Sequence, residues 1–146
     1  MKKLFIILVF FISSCGYEPL YQNKKIETLN FNQIKLNGDT EINKKIISSL
    51  NISKNSSSNK VLILNSKYAI EKTSKDSKGQ VDTLRTKCNV TISIEENGKI
   101  LKSKSFDGIF TYSNLENKFD LLNYQNEIKK NMINKIIEDI IIYLTL

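Results

Sequence analysis

Cys15 and Cys88 are the only thiols in the chain, and there is no histidine. A catalyst built here lacks the commonest general base and the commonest metal-binding imidazole. The cysteines form neither a C-x-x-C redox pair nor a zinc spacing. No glycine-rich phosphate loop, no G-x-S-x-G elbow and no metal-spaced ligand cluster is present. Glu95-Glu96 falls at an expected hairpin tip, where solvated charge belongs. The reading is a protein with no catalytic residues and no metal. What remains is positive charge, 22 Lys and Arg against 15 Asp and Glu, a net +7. Such a balance suits nucleic acid, anionic lipid or acidic polysaccharide. Lys67, Lys72, Lys75, Lys78, Arg85 and Lys87 fall on two neighbouring expected strands and the loop joining them. Either they are solvated side chains of a lysine-rich protein, or Lys67, Lys75, Lys78, Arg85 and Lys87 bind a phosphorylated anion, whose capture clustered cations favour.

The first cysteine has a different context. Met1-Lys2-Lys3 precedes the apolar run Leu4 to Ile12, and Ser13-Ser14 follows it. That is the layout of a secretory signal, and the run is too short for a membrane span of about 20 residues. The tetrad Ile12-Ser13-Ser14-Cys15 resembles a bacterial lipobox. By that resemblance Cys15 opens the mature chain and carries lipid on sulfur and amine. A secreted protein with a free Cys15, or a Cys15–Cys88 disulfide, is the alternative. Two or more acyl chains anchor stably where one holds marginally, at about 0.8 kcal/mol per buried CH₂. Gly16 stands where an Asp would resemble an inner-membrane retention signal, which favours the outer membrane. The expected organisation is a signal peptide over 1–14, a lipidated arm over 15–30 and a domain over 31–146. The mature chain then has 146 − 14 = 132 residues and a charge of +7 − 2 = +5. Triplets such as Asn51-Ile52-Ser53 match glycosylation acceptors by chance in so Asn- and Ser-rich a chain.

The elements that must position these residues follow from periodicity. Pro19 keeps the arm extended. Phe31 to Leu36 alternates as a short strand. Asn37-Gly38-Asp39-Thr40 reads as a turn plus N-cap, and Ile42, Ile46 and Leu50 form the apolar stripe of a helix ending near Ile52. Ser53 to Asn59 reads as a polar loop, Lys60 to Lys72 as a strand and Thr73 to Asp82 as a polar connection. From Leu84 to Glu95 the alternation is cleanest, with Leu84, Thr86, Cys88, Val90, Ile92 and Ile94 on one face. Cys88 reads as a small apolar filler of that row. Asn97-Gly98 is a type I′ hairpin turn. The next strand runs from Lys99 to Tyr112 with Phe106, Gly108, Phe110 and Tyr112 inward. Lys102 and Lys104 share that parity, so they either leave the core at the hairpin end or are shifted by a bulge. From Asn117 a stripe of Leu121, Ile128, Met132, Ile136, Ile140 and Leu144 marks a long amphipathic helix. The expected fold is α+β, in the order β-α-β-β-β-α. It is a two-layer sandwich: a four-stranded, mostly antiparallel sheet with two helices packed on one face.

In this layout the chain resembles the lipopolysaccharide-assembly lipoprotein family LptE, in its α-proteobacterial form. "SCGYEPLY" (14–21) resembles the lipidated start of that family. "TLRTKCNVTISI" (83–94) with "NGKILKSKSFDGIFTYS" (97–113) resembles its central hairpin, and "YSNLENKFDLLNYQNEIKKNMINKIIEDI" (112–140) the lead into its closing helix. The resemblance implies the same sandwich fold, no enzyme activity and no cofactor beyond lipid on Cys15. It implies a plug in the lumen of the outer-membrane β-barrel LptD that assists barrel assembly and the transport and insertion of lipopolysaccharide. The implied partners are LptD, lipopolysaccharide and the outer membrane, on its periplasmic side. A generic structural lipoprotein is a second class. A nucleic-acid module is a third, since double-stranded RNA binders share the α-β-β-β-α order. The export signal argues against it, as does the lone Lys118 between Asn117 and Tyr124, so no nucleic-acid partner is expected.

Overall fold

A computed structural model describes residues 29–145; Cys15, the signal segment and most of the expected arm lie outside them. The elements are β1 (Leu29–Phe31), β2 (Gln33–Gly38), α1 (Thr40–Ser49), β3 (Ile52–Lys54), β4 (Lys60–Lys75), β5 (Val81–Glu96), β6 (Lys99–Ser113) and α2 (Lys118–Thr145). β2, β4, β5 and β6 form one sheet in that order, and β1 and β3 pair as a two-stranded ribbon. β2 runs parallel to β4, while β4, β5 and β6 are an antiparallel meander. This is the expected four-stranded, mostly antiparallel α+β arrangement with two helices.

The core forms where the inner sheet row meets both helices. Ile42, Ile46 and Leu50 of the α1 region are fully buried with Leu62 and Leu64 of β4, Cys88, Val90 and Ile92 of β5 and Ile133, Ile136 and Ile140 of α2. α1 starts where expected. Asp39 caps it by accepting from the Glu41 and Ile42 amides, both at 3.0 Å, which satisfies donors that the first turn leaves free. Gly38 just before it has φ +89°, and a Cβ there would lie 1.8 Å from the Ser66 carbonyl oxygen. The close approach of β2 to β4 therefore depends on that glycine. Lys129 of α2 ties the helices together: its ammonium lies 2.6 Å from Glu41 and 3.5 Å from Asp39, and 5.0 Å from the centre of the Tyr68 ring.

Four boundaries differ from the expectation. The first expected strand divides into β1 and β2, the break falling at Asn32, whose amide donates to the Lys60 carbonyl. α1 ends at Ser49, and Asn51 turns the chain at φ +49°, so Ile52 is not helical. The expected polar loop begins with β3, because Ile52 packs on the core and the Ser53 hydroxyl donates to the Asn30 side chain. The expected connection of 73–82 shrinks to a turn over 76–80. The Asp76 carboxylate accepts from the Lys78 and Gln80 amides there and lets both strands run on.

The parity question at Lys102 and Lys104 has a specific answer. Asn97 and Gly98 have φ of +51° and +77°, as a type I′ turn requires. The register then slips, since Glu95 pairs with Ile100 but Ile94 with Lys102, leaving Leu101 as a bulge. Without that extra residue every later side chain of β6 would change face. The slip sends Phe106 and Tyr112 inward, 6% exposed each, and leaves Lys102 and Lys104 on the same face. They leave the core at the hairpin end and lie over the Tyr143 ring, at 5.6 and 5.2 Å.

Candidate functional site

The sheet face turned away from the helices carries most of the expected cations. Successive residues of a strand alternate faces, so Lys67, Ala69 and Glu71 of β4 share the outer face with Arg85, Lys87 and Asn89 of β5 and Asp107 and Ile109 of β6. Lys67 and Lys87 border one depression of about 310 Å³, with Glu71, Asn89, Asp107 and Ile109. Neither basic residue of β5 is uncommitted. The Lys87 ammonium lies 3.0 and 2.8 Å from the two carboxylate oxygens of Glu71, and Arg85 Nε donates to the Thr111 hydroxyl at 3.3 Å. Asp107 accepts from the Asn89 amide at 2.6 Å. The two lysines of the depression face two carboxylates, Glu71 and Asp107, and Arg85 lies beyond its lining.

Lys75 and Lys78 are elsewhere. Lys75 pairs with Val81, and Lys78 sits in the turn of the β4–β5 hairpin. Lys67 is level with Asn89, eight residues up β5 from Val81, or roughly 27 Å at ~3.3 Å per residue. The structure thus brings Lys67, Lys87 and Arg85 together and holds Lys75 and Lys78 apart at the hairpin tip, beside Asp76 and Asp82.

On the rest of this face, sequence reasoning missed the pairing across strands. Toward the β5–β6 turn the hydroxyls and amides of the face pair across strands, with Ile63 and Val61 of β4, Lys35 of β2 and Glu95 of β5 on the same face. Thr91 bonds Ser105 at 2.7 Å, Ser93 bonds Ser103 at 2.7 Å and Asn37 donates to Asn65 at 2.8 Å. The parity of Thr91 and Ser93 shows in the sequence. Their pairing with Ser105 and Ser103 depends on the Leu101 bulge, which has no local signature. These paired hydroxyls and amides can exchange hydrogen bonds with a polar wall at little desolvation cost.

The remaining thiol and phenol belong to the core. Burial, with the Asp39 carboxylate second, pushes the Cys88 thiol up to about 11, so it stays protonated and unreactive near neutral pH. Burial also raises the Tyr68 hydroxyl, against a hydrogen bond with Thr86. Among the described residues no three His, Cys, Asp or Glu side chains could hold a metal, and no helix is long and apolar enough to cross a membrane.

No protein-family model matches the chain, and no curated protein matches it in sequence. Solved structures match its fold. The rare lipoprotein B of Shewanella oneidensis is 15% identical, with a TM-score of 0.57 over 78% of this chain and 94% of that one. Lipoprotein B of Nitrosomonas europaea is 12% identical, with a TM-score of 0.57 over 80% and 84%. A lipoprotein of Caulobacter crescentus is 12% identical, with a TM-score of 0.50 over 73% and 83%. The chain shares the fold of these two lipoproteins B.

Proposed function

We propose that this protein is a non-enzymatic, lipid-anchored component of the outer membrane. Attached through Cys15 on the periplasmic side, it plugs the LptD β-barrel and assists its assembly and the delivery of lipopolysaccharide to the outer leaflet. The observation that carries this reading is the fold, shared with rare lipoprotein B over 78% of the chain. Two features support it. The lipobox-like tetrad ending at Cys15 supplies an anchor. The hydroxyl and amide ladder of the outer sheet face suits the polar interior of a barrel, whose wall offers hydrogen-bonding groups and little apolar surface.

Within this reading the cations would meet the phosphates of lipid A in two places. Lys67, Arg85 and Lys87 form the near group, and Lys75 and Lys78 the far one. The Lys87–Glu71 pair is half exposed on both sides, so opening it for a phosphate costs about 1 kcal/mol or less. The decisive test is photo-crosslinking in intact cells from probes at Ser93 and Ser105. Adducts with a large outer-membrane barrel are expected; their repeated absence, with the domain folded and exported, would sink the plug reading. Charge reversal at Lys67, Lys75, Lys78, Arg85 and Lys87 is expected to weaken lipopolysaccharide binding with unfolding unchanged. Binding equal to the parent would remove the cations from the site.

A further inference from the structure

Three chain features meet at one end of the sheet. β4 begins there, because Lys60 pairs with Glu96 next to the β5–β6 turn. The described chain also enters there, because Asn32, between β1 and β2, donates to the Lys60 carbonyl at 2.8 Å. α2 ends there, because Tyr143 lies under Lys102 and Lys104 of β6. This end exposes large apolar side chains at the tip of the hairpin, Ile100 at 63% and Leu101 at 51%. Lys99, Lys102 and Lys104 surround them, all exposed. Glu95 and Glu96 of the facing strand, half-buried, pair with Ile100 and Lys99 and leave a net positive tip.

We propose that this end docks on the surface of an anionic lipid bilayer, with Ile100 and Leu101 entering the headgroup region and Lys99, Lys102 and Lys104 pairing with lipid phosphates. The inference rests on the anchoring part of the proposed function and not on the barrel or lipopolysaccharide parts. Two observations name the bilayer as the occupant. The first is the tether. From Cys15 to Thr28 there are 28 − 14 = 14 residues, spanning at most about 50 Å even if fully extended. The end at which that tether joins the sheet is held within reach of the membrane. The opposite hairpin tip lies a further strand length away, roughly 53 Å for the 16 residues of β5. The second is composition. Scattered exposed apolar residues need no explanation. Adjacent aliphatics ringed by lysines, beside a tyrosine, are the side chains that partition into an anionic interface: the aliphatics bury, the aromatic sits at headgroup level and lysine stems reach outward. The Leu101 bulge creates the arrangement, since it holds Lys102 and Lys104 on the Tyr143 side while Leu101 itself stays unpaired.

The test uses residues 15–146 with Cys15→Ser, so that no acyl chain contributes. The chain contains no tryptophan, which makes Leu101→Trp an unambiguous reporter. With vesicles of phosphatidylethanolamine and phosphatidylglycerol, its emission is expected to shift to the blue and to be quenched by brominated acyl chains. Ile109→Trp, on the outer sheet face and more exposed than Leu101 at 65%, is expected to keep its aqueous spectrum. Each lysine near such a surface is worth about fivefold in partition, so the exchange of Lys99, Lys102 and Lys104 for Gln should cost on the order of a hundredfold. No shift at Leu101→Trp, equal shifts at both positions, or binding unaffected by the lysine exchange each overturns the proposal. Acylation is scored separately, from the mass of the Cys15 peptide of the wild-type protein in cells. An unmodified Cys15 beside an inserting hairpin tip would defeat the anchor and support the tip.

Discussion

Replacing Gly38 with Ala should cost more than its size suggests, and the structure says how much. The new Cβ would meet the Ser66 carbonyl oxygen at 1.8 Å, its carbon at 2.9 Å and its nitrogen at 3.2 Å. These are backbone atoms of a central strand, so no side chain can turn aside. Relief needs β2 to move from β4 by more than about 1 Å, since non-bonded carbon and oxygen seldom approach within ~3 Å. That movement stretches the bond from the Asp39 amide to the Ser66 carbonyl, now 3.2 Å, and the bond from the Ser66 hydroxyl to the Asp39 carbonyl, now 3.1 Å. Each is worth about 1 kcal/mol. The φ of +89° adds about 1–2 kcal/mol for a residue with a Cβ. The sum is about 3–4 kcal/mol. Gly79 provides the control: its φ is +79°, with nothing within 4 Å of the place a methyl would occupy, so Gly79→Ala carries only the conformational part, about 1–2 kcal/mol. Urea unfolding followed by far-UV circular dichroism, on residues 15–146 with Cys15→Ser, reads the difference. With a slope of about 1–3 kcal/mol per molar, Gly38→Ala should lose roughly 1–2 M more in midpoint than Gly79→Ala. If the two variants fall together, the packing of β2 on β4 is not what limits this position.

Other consequences can be checked alongside. Cys88 should resist thiol reagents at pH 8 in the folded protein and react at the unfolding rate. Because its thiol is raised from 9.0 to about 11, the unfolded state ionises first, so stability should decline as pH climbs between those values. Lys129→Met should lose about 1 kcal/mol, from the ion pairs and the Tyr68 contact. Burial opposes its charge, but the Glu41 and Asp39 carboxylates outweigh it and raise its pKa. Its contribution is therefore complete below 10.5, and the gap to wild type should close as pH rises beyond it. Ile46→Ala, at a fully buried site, should cost about 2–5 kcal/mol in the same titration. Deleting Leu101 should be far more damaging than Leu101→Ala, because it returns Phe106 and Tyr112 to the outer parity; equal midpoints would show that the bulge does not set the register.

The period-two alternation of β5 places Leu84, Thr86, Cys88, Val90 and Ile92 inside, and all five are buried. Turn chemistry is equally legible at Asn97-Gly98 and at the Asp39 cap, because each depends on a few adjacent residues. What escapes the sequence depends on distant partners. β3 is three residues long and exists only because β1, 23 residues earlier, lies beside it. The strand extensions through Lys75 and from Val81 hold polar residues, which carry no alternation against a core. Cations that are neighbours along the chain are spread by strand geometry, and the opposing Glu71 and Asp107 enter from other positions in the sheet. Phe110 has the inward parity yet is 44% exposed, because the helix layer covers that end of the sheet incompletely.

The parallel pairing of β2 with β4 also sets an order of assembly. The meander β4–β5–β6 closes through tight turns, whereas Gly38 finds Ser66 only across 66 − 38 = 28 residues that include a helix and a ribbon strand. Loop closure delays distant pairings relative to local ones. We expect pulse-labelled amide exchange during refolding to protect β5 first and β2 last; simultaneous protection would point to a single nucleus. The first strand of the four-stranded sheet would then be the last to lock, leaving a pre-formed meander whose final grip is the six-residue ladder that ends at Gly38.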